Sequence, residues 1–164
     1  QSAVIDRGEL KVKMERVPVV EVIQSIAKTA SFRIAGLDGE LILQMPKEEV
    51  YIEGDRMHFT NMVNNLVDNA IKYSKDKIHV TVKLEVFPDR LELSVIDKGI
   101  GIKREHISKI FDKLYRVPTG NVHNVKGFGL GLSYVKALSD LFGWSLHVTS
   151  QVGEGSEFRV TIKR

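Results

Sequence analysis

The sequence predicts an α+β two-layer sandwich: a mixed, largely antiparallel sheet covered on one face by about three helices. Two observations carry this. Strand patterns come in neighbouring pairs with helical patterns between them, and no internal repeat or linker divides the chain. A length of 164 residues suits one domain with its own core. Hydrophobic residue types at 43% and charged ones at 27% are globular usage.

The first pattern sets Leu10, Val12 and Met14 against Lys11, Lys13 and Glu15, the period of a half-buried strand. Pro18 then opens a helix in which Val19, Val22, Ile23, Ile26 and Ala30 recur at three- and four-residue spacing. The turn-like piece 36–39 fits no element. ELILQM and VYIE read as short strands around Pro46. From 55 to 74 runs the longest helical pattern, with Phe59, Met62, Val63, Leu66, Val67 and Ala70 on one stripe. Strands over 78–87 and 91–96 are joined by Pro88-Asp89, a hairpin signal. Helices are expected over 104–113 and over 132–142, the latter closed by Gly143. SLHVTSQ, a VGEG turn and EFRVTIK make a second hairpin. The stretch 117–126 lacks periodicity and reads as a mobile loop.

Composition excludes several classes. With no cysteine there is no disulfide framework, thiolate metal site or cysteine nucleophile. No apolar run nears the ~20 residues of a membrane helix, and the first residues lack the apolar core of a secretory signal. The absence of an initiator Met predicts a processed chain or, in preference, a piece of a longer protein. Lys plus Arg number 24 against 21 Asp plus Glu, interleaved along the chain, so no nucleic-acid footprint is present.

Four motifs bear chemistry. In NNLVDNAIKYS, Asn65, Asn69 and Lys72 share one helical face. An amide oxygen suits a hard cation such as Mg2+ and a lysine suits phosphate, although a solvated polar face explains the run equally well. In DKGIGI, residues 97–102, the glycines allow close backbone approach and Asp97 can accept from an amine; a plain strand-to-helix turn would use the same residues. In KGFGLGLSYVK, Gly127, Gly129 and Gly131 precede a helix, where backbone N–H groups cradle phosphates. No βαβ unit precedes them and no Lys-Ser or Lys-Thr follows, so this is neither a dinucleotide fingerprint nor a Walker loop. IFDKLYR, 110–116, is an aromatic and basic cluster that a helix end would also explain.

Taken in order, these motifs resemble the N, first glycine, F and second glycine boxes of the ATP-binding catalytic domain of sensor histidine kinases. That group shares a fold with type II topoisomerases and mismatch-repair ATPases. VGEGSEFRV resembles the family's closing G-x-G-[ST]-x-F stretch. The resemblance covers nearly the whole chain and implies one Bergerat-type ATP-binding domain over 1–164, with ATP held between the helix layer and a lid. Asn69 would coordinate Mg2+, Lys72 would meet a phosphate, and Tyr73 would flank the adenine. Asp97 would accept from the adenine amino group, with Gly99 and Gly101 clearing space. Gly127, Gly129 and Gly131 would wrap the phosphates, and Phe111, Arg116 and 117–126 would form the lid region. The implied nucleotide contacts further include Asn65, Ile102, Tyr115, Lys126, Phe128, Leu130, Leu132 and Ser156.

The resemblance also implies the reaction. Hydrolysing relatives carry a glutamate base four residues before the metal-binding Asn; here that position is Asn65, which takes no proton at neutral pH. Phosphoryl transfer to a protein histidine is then expected, with Asn65, Lys72 and Arg116 as the catalytic set. The family's acceptor histidine is usually followed by an acidic residue. His58, His79, His106, His123 and His147 are not. The acceptor and dimerisation part, the sensor part and a downstream response regulator are therefore expected as separate partners. The expected location is cytoplasmic, without direct membrane contact, whether or not the inner membrane anchors the parent. A serine kinase of the anti-sigma type shares the fold and is the alternative; it usually lacks a cluster like IFDKLYR.

Overall fold

The computed structural model describes residues 10–112 and 130–164. Along these the elements are β1 (Glu15–Pro18), α1 (Val19–Ala35), β2 (Glu40–Gln44), β3 (Tyr51–Gly54), α2 (Arg56–Lys72), β4 (His79–Val86), β5 (Arg90–Asp97), α3 (Arg104–Ile107), α4 (Leu130–Phe142), β6 (Ser145–Gln151) and β7 (Gly155–Lys163). The main sheet has five strands in the order β2-β4-β5-β7-β6, and β1 pairs with β3 in a separate ribbon. Only β2 with β4 is parallel; the other three pairings are antiparallel. Parallel neighbours need a crossover, and β3 with α2 supply it. The predicted mixed, largely antiparallel sandwich is observed.

Alternation sets the two faces of the sheet. Val82, Leu84, Leu91, Leu93, Val95, Phe158, Val160 and Ile162 point inward and are buried. The helices close this face with Ile23 and Ile26 of α1, the Phe59–Ala70 stripe of α2, and Val135 and Leu138 of α4. Trp144 seals one end, stacked on Phe142 at 4.9 Å and edge-on to Phe59 at 6.3 Å. Among the described residues no helix is long and apolar enough to cross a membrane.

Two expected elements differ. The strand pattern starting at Leu10 becomes a strand only from Glu15, because β3 offers four partners and no more. The backbone of Lys11 and Lys13 is bonded instead to the side chains of His58 and Asp55. The helix expected over 104–113 is one turn, α3, followed by turns to residue 112. Of its apolar residues only Ile110 is buried, so no continuous stripe stabilises further turns. The unassigned 36–39 piece is the stop of α1, where the N–H groups of Leu37 and Gly39 both donate to the Ile34 carbonyl. The loop expected over 117–126 lies outside the described residues.

One cap comes from a distance. Pro18 is the N-cap of α1 and offers no side-chain acceptor. The Glu49 carboxylate accepts from the N–H of Val20 at 2.6 Å and of Glu21 at 3.0 Å, placing a negative charge at the helix N-terminus. Glu49→Ala is expected to lower stability by about 1–2 kcal/mol, read as a lower urea midpoint at unchanged slope.

Candidate active site

The site grows from the end of the buried sheet row. Asp97 has the same parity as Leu91, Leu93 and Val95, so the strand period turns its carboxylate toward the helices. Its register partners are Val80 on β4 and Ser156 on β7. Asp97 is 5% exposed, and its Oδ1 accepts the N–H of Gly99 at 2.8 Å and of Ser156 at 3.3 Å. Burial pushes its pKa up to about 6, against the lowering effect of those two donors.

The turn after β5 is pinned on both sides. Gly99 bridges to Ser74, and the Ile100 N–H donates to the Tyr73 carbonyl at 3.1 Å. A Cβ on Gly99 would lie 2.1 Å from that carbonyl oxygen, so only glycine fits. Gly101 has φ +75°, a left-handed conformation that side chains disfavour. The Ile102 N–H then donates to Ser150 Oγ at 2.7 Å, and Ser150 Oγ lies 2.7 Å from Ser156 Oγ. The end of α2, the 97–102 turn and the β6–β7 hairpin are thereby locked together.

Between them lies a cleft of about 460 Å³, counted with its open mouth. Ile100, Ile102, Ile110 and Leu132 give it apolar walls, with Tyr73, Asn69, Asp97 and Ser156 as polar or aromatic contributors. A buried acceptor in a largely apolar slot suits a flat heterocycle bearing an amine. The nine residues that line it come from α2, the 97–102 turn, Ile110, α4 and β7.

Of the residues singled out in the sequence, Asn69, Tyr73, Asp97, Gly101, Ile102, Leu132 and Ser156 line this cleft together. Gly99 stands behind it as the contact with Tyr73. Asn65 sits one turn back on α2, against the start of α4: its Oδ1 is 3.5 Å from where a Cβ on Gly131 would stand. Its Nδ2 is buried without a hydrogen-bond partner among the described residues. Lys72, the last residue of α2, is exposed and does not line the cleft. Phe111 is half-buried and packs edge-on against Phe158 at 6.3 Å, outside the lining. Tyr115, Arg116, Lys126, Gly127, Phe128 and Gly129 lie outside the described residues, and Leu130 opens α4. Among the described residues no group of three His, Cys, Asp or Glu side chains is placed to hold a metal.

Sequence reasoning did not single out Ile100 and Ile110 as site residues, although both lie inside quoted motifs. Ser150 carried no signal, since its role depends on a hairpin register that joins it to Ser156.

A family model described as histidine kinase-, DNA gyrase B-, and HSP90-like ATPase matches residues 54–164. Sensor protein RprX of Bacteroides fragilis is 35% identical over 164 residues, covering 99% of this chain and 32% of that protein. Sensor histidine kinase WalK of Bacillus subtilis is 34% identical over 125 residues, 75% of this chain and 20% of that protein. The chain thus spans a third or less of the length of these relatives. Among solved structures, the mycobacterial sensor histidine kinase MprB is 26% identical with a TM-score of 0.78, covering 92% of this chain and 97% of that one. The nucleotide-free catalytic domain of histidine kinase ThkA shares the fold at a TM-score of 0.79 and 22% identity, over 92% of this chain and 97% of that one. The family match takes in every residue that lines the cleft, so this chain is a member of the histidine kinase-, DNA gyrase B- and HSP90-like ATPase family.

Proposed function

We propose that the cleft binds ATP with Mg2+ and that the chain is the catalytic domain of a sensor histidine kinase. It passes the γ-phosphoryl group to a histidine on a separate acceptor and dimerisation domain of the parent kinase, with a response regulator downstream. The observation that carries this reading is the buried Asp97 among the lining of an otherwise largely apolar slot. Two backbone donors occupy Oδ1, so Oδ2 is the acceptor assigned to the adenine amino group. Tyr73 and the isoleucines flank the ring, and Ser156 supplies a hydroxyl beside it.

The donor set fits a nucleotide-borne metal better than a resident one. Asn69 offers one neutral amide oxygen, and the phosphates would supply the charged ligands. Mg2+, when bound there, neutralises phosphate charge. The same reading gives Lys72 and the Gly127–Gly129–Gly131 run to the phosphates, and a lid role to Tyr115, Arg116 and the chain that Phe111 anchors on Phe158. In the transfer, an imidazole nitrogen of the acceptor forms a bond to the γ-phosphorus as the bond to the ADP oxygen breaks. Asn65 cannot take a proton from water, which favours transfer over hydrolysis.

A non-hydrolysable ATP analogue in calorimetry tests the binding: heat is expected with Mg2+ and not with excess chelator. The isolated chain is expected to hydrolyse almost no ATP and to leave itself unphosphorylated. Mixed with the acceptor domain it should give an acid-labile, base-stable phosphate. An acid-stable, base-labile product on an added protein, the behaviour of a serine or threonine phosphate ester, would point instead to a serine or threonine kinase of this fold. Asn65→Glu is expected to raise ATP hydrolysis above the wild-type level, provided the new carboxylate reaches within about 3 Å of the attacking water. Phosphate release measures it.

A further inference from the structure

A second polar cluster lies outside the cleft lining, where α2, α4 and the segment before β1 meet. His58 Nε2 is 2.7 Å from the Lys11 carbonyl oxygen, and His58 Nδ1 is 2.5 Å from the Tyr134 hydroxyl. A carbonyl only accepts, so Nε2 carries a proton; in the neutral ring Nδ1 then accepts from Tyr134. The Asn61 side chain lies beside that hydroxyl. His58 is 7% exposed and Tyr134 1%. Beside them, the buried Asp55 caps α2 by taking the His58 N–H on Oδ1 and holds the Lys13 N–H on Oδ2 at 2.7 Å. Residues 11–13 belong to no strand, yet two side chains from the start of α2 hold their backbone.

The geometry points to His58 as a positioning residue for the nucleotide site, one that carries the seating of residues 11–13 into the placement of α4. Tyr134 stands three residues after Gly131, which abuts Asn65, and two after Leu132, which lines the cleft. Apolar packing holds α4 on α2 but is non-directional. The Tyr134 hydroxyl supplies a directional bond near the start of the helix. If residues 11–13 leave their seat, the buried Nε2–H loses its acceptor, and relief requires a shift of the ring away from Tyr134, or a tautomer change that reverses the bond and turns the Tyr134 hydroxyl proton to the long contact with the His58 carbonyl at 3.4 Å. Either way the anchor of α4 is weakened. The inference rests on the nucleotide reading of the cleft.

Asp55→Asn can keep the cap while losing the acceptor for Lys13 N–H, and Lys13→Pro removes the donor of the same bond. Tyr134→Phe removes only the hydroxyl. Binding of a non-hydrolysable ATP analogue with Mg2+ and amide exchange in the first turn of α4 would be measured for each, and for each combined with Tyr134→Phe. Asp55→Asn and Lys13→Pro are each expected to weaken binding about three- to tenfold and to speed that exchange. Neither should add a further loss once Tyr134→Phe is present. Losses that multiply, or a lower urea midpoint with unchanged binding and exchange, would overturn the proposal. A wild-type chain that binds no analogue would refute the nucleotide reading, and the exchange arm would still decide the coupling. If Lys13→Pro does not fold, Asp55→Asn carries the test.

Discussion

Asp97→Asn is expected to weaken adenine-nucleotide binding by about 10- to 100-fold while making the nucleotide-free chain more stable. The two effects have opposite signs because they have different causes. An asparagine keeps an oxygen for the Gly99 and Ser156 donors but places an amide NH2 where the carboxylate offered its second acceptor. Losing a hydrogen bond to a charged group costs about 1–3 kcal/mol of binding. Stability moves the other way. The folded carboxyl titrates at about 6 against an ordinary value of 3.8. Between those values the folded chain holds a proton that the unfolded chain has released. Stability therefore falls as pH rises from about 4 to about 6, and the deficit is complete above that, at most roughly 3 kcal/mol. The substitution removes both the deficit and its pH dependence. Wild-type nucleotide affinity should run in the opposite sense, falling as pH drops below about 6, because the protonated carboxyl presents a weaker acceptor to the amine. Calorimetry across pH 5 to 8 and urea midpoints over the same range measure the two. A binding constant unchanged by the substitution would remove Asp97 from the site.

Gly99→Ala is expected to abolish nucleotide binding and to cost about 3 kcal/mol of stability. The added Cβ would meet the Tyr73 carbonyl oxygen at 2.1 Å and its carbon at 2.9 Å, both backbone atoms, with Asp97 Oδ1 at 2.8 Å. No rotamer change relieves contacts to main chain. The bridge to Ser74 and the bond from Ile100 N–H to Tyr73 must open, which separates the end of α2 from the turn that carries Ile100 and Gly101. Gly36→Ala is the control: a Cβ there meets nothing within 4 Å and the backbone is already helical. It should be neutral or stabilise by about 0.4–1 kcal/mol through the unfolded chain. Urea midpoints of the pair separate crowding at the site from a general effect of replacing glycine.

Where the sequence reading succeeded, its signals were short-range. The stripe from Phe59 to Ala70 fixes which face of α2 is buried, because side chains repeat every 3.6 residues on a helix. That period also puts Asn69 and Tyr73 at the edge of the stripe, where they line the cleft. The two-residue period of β5 places Asp97 on the inner face with Leu91, Leu93 and Val95. Where the reading failed, the deciding partner was remote. Leu10 to Met14 alternates like a strand but has no strand beside it, and α3 stops after one turn because its later residues find little to pack against.

The sequence by itself determined the order of helices and hairpins, the motif order that resembles the histidine-kinase boxes, and the amide at Asn65. Each of these is written in residue identity and spacing along a few turns or one strand. Only the tertiary structure decided the parallel pairing of β2 with β4, the capping of α1 by Glu49, the lock between Ser150 and Ile102, and the bond from His58 to Tyr134, 76 residues away. It also decided that Asp97 is desolvated enough to titrate near 6. These depend on which distant groups share a low-dielectric volume, and that volume exists only after the apolar faces have closed on one another.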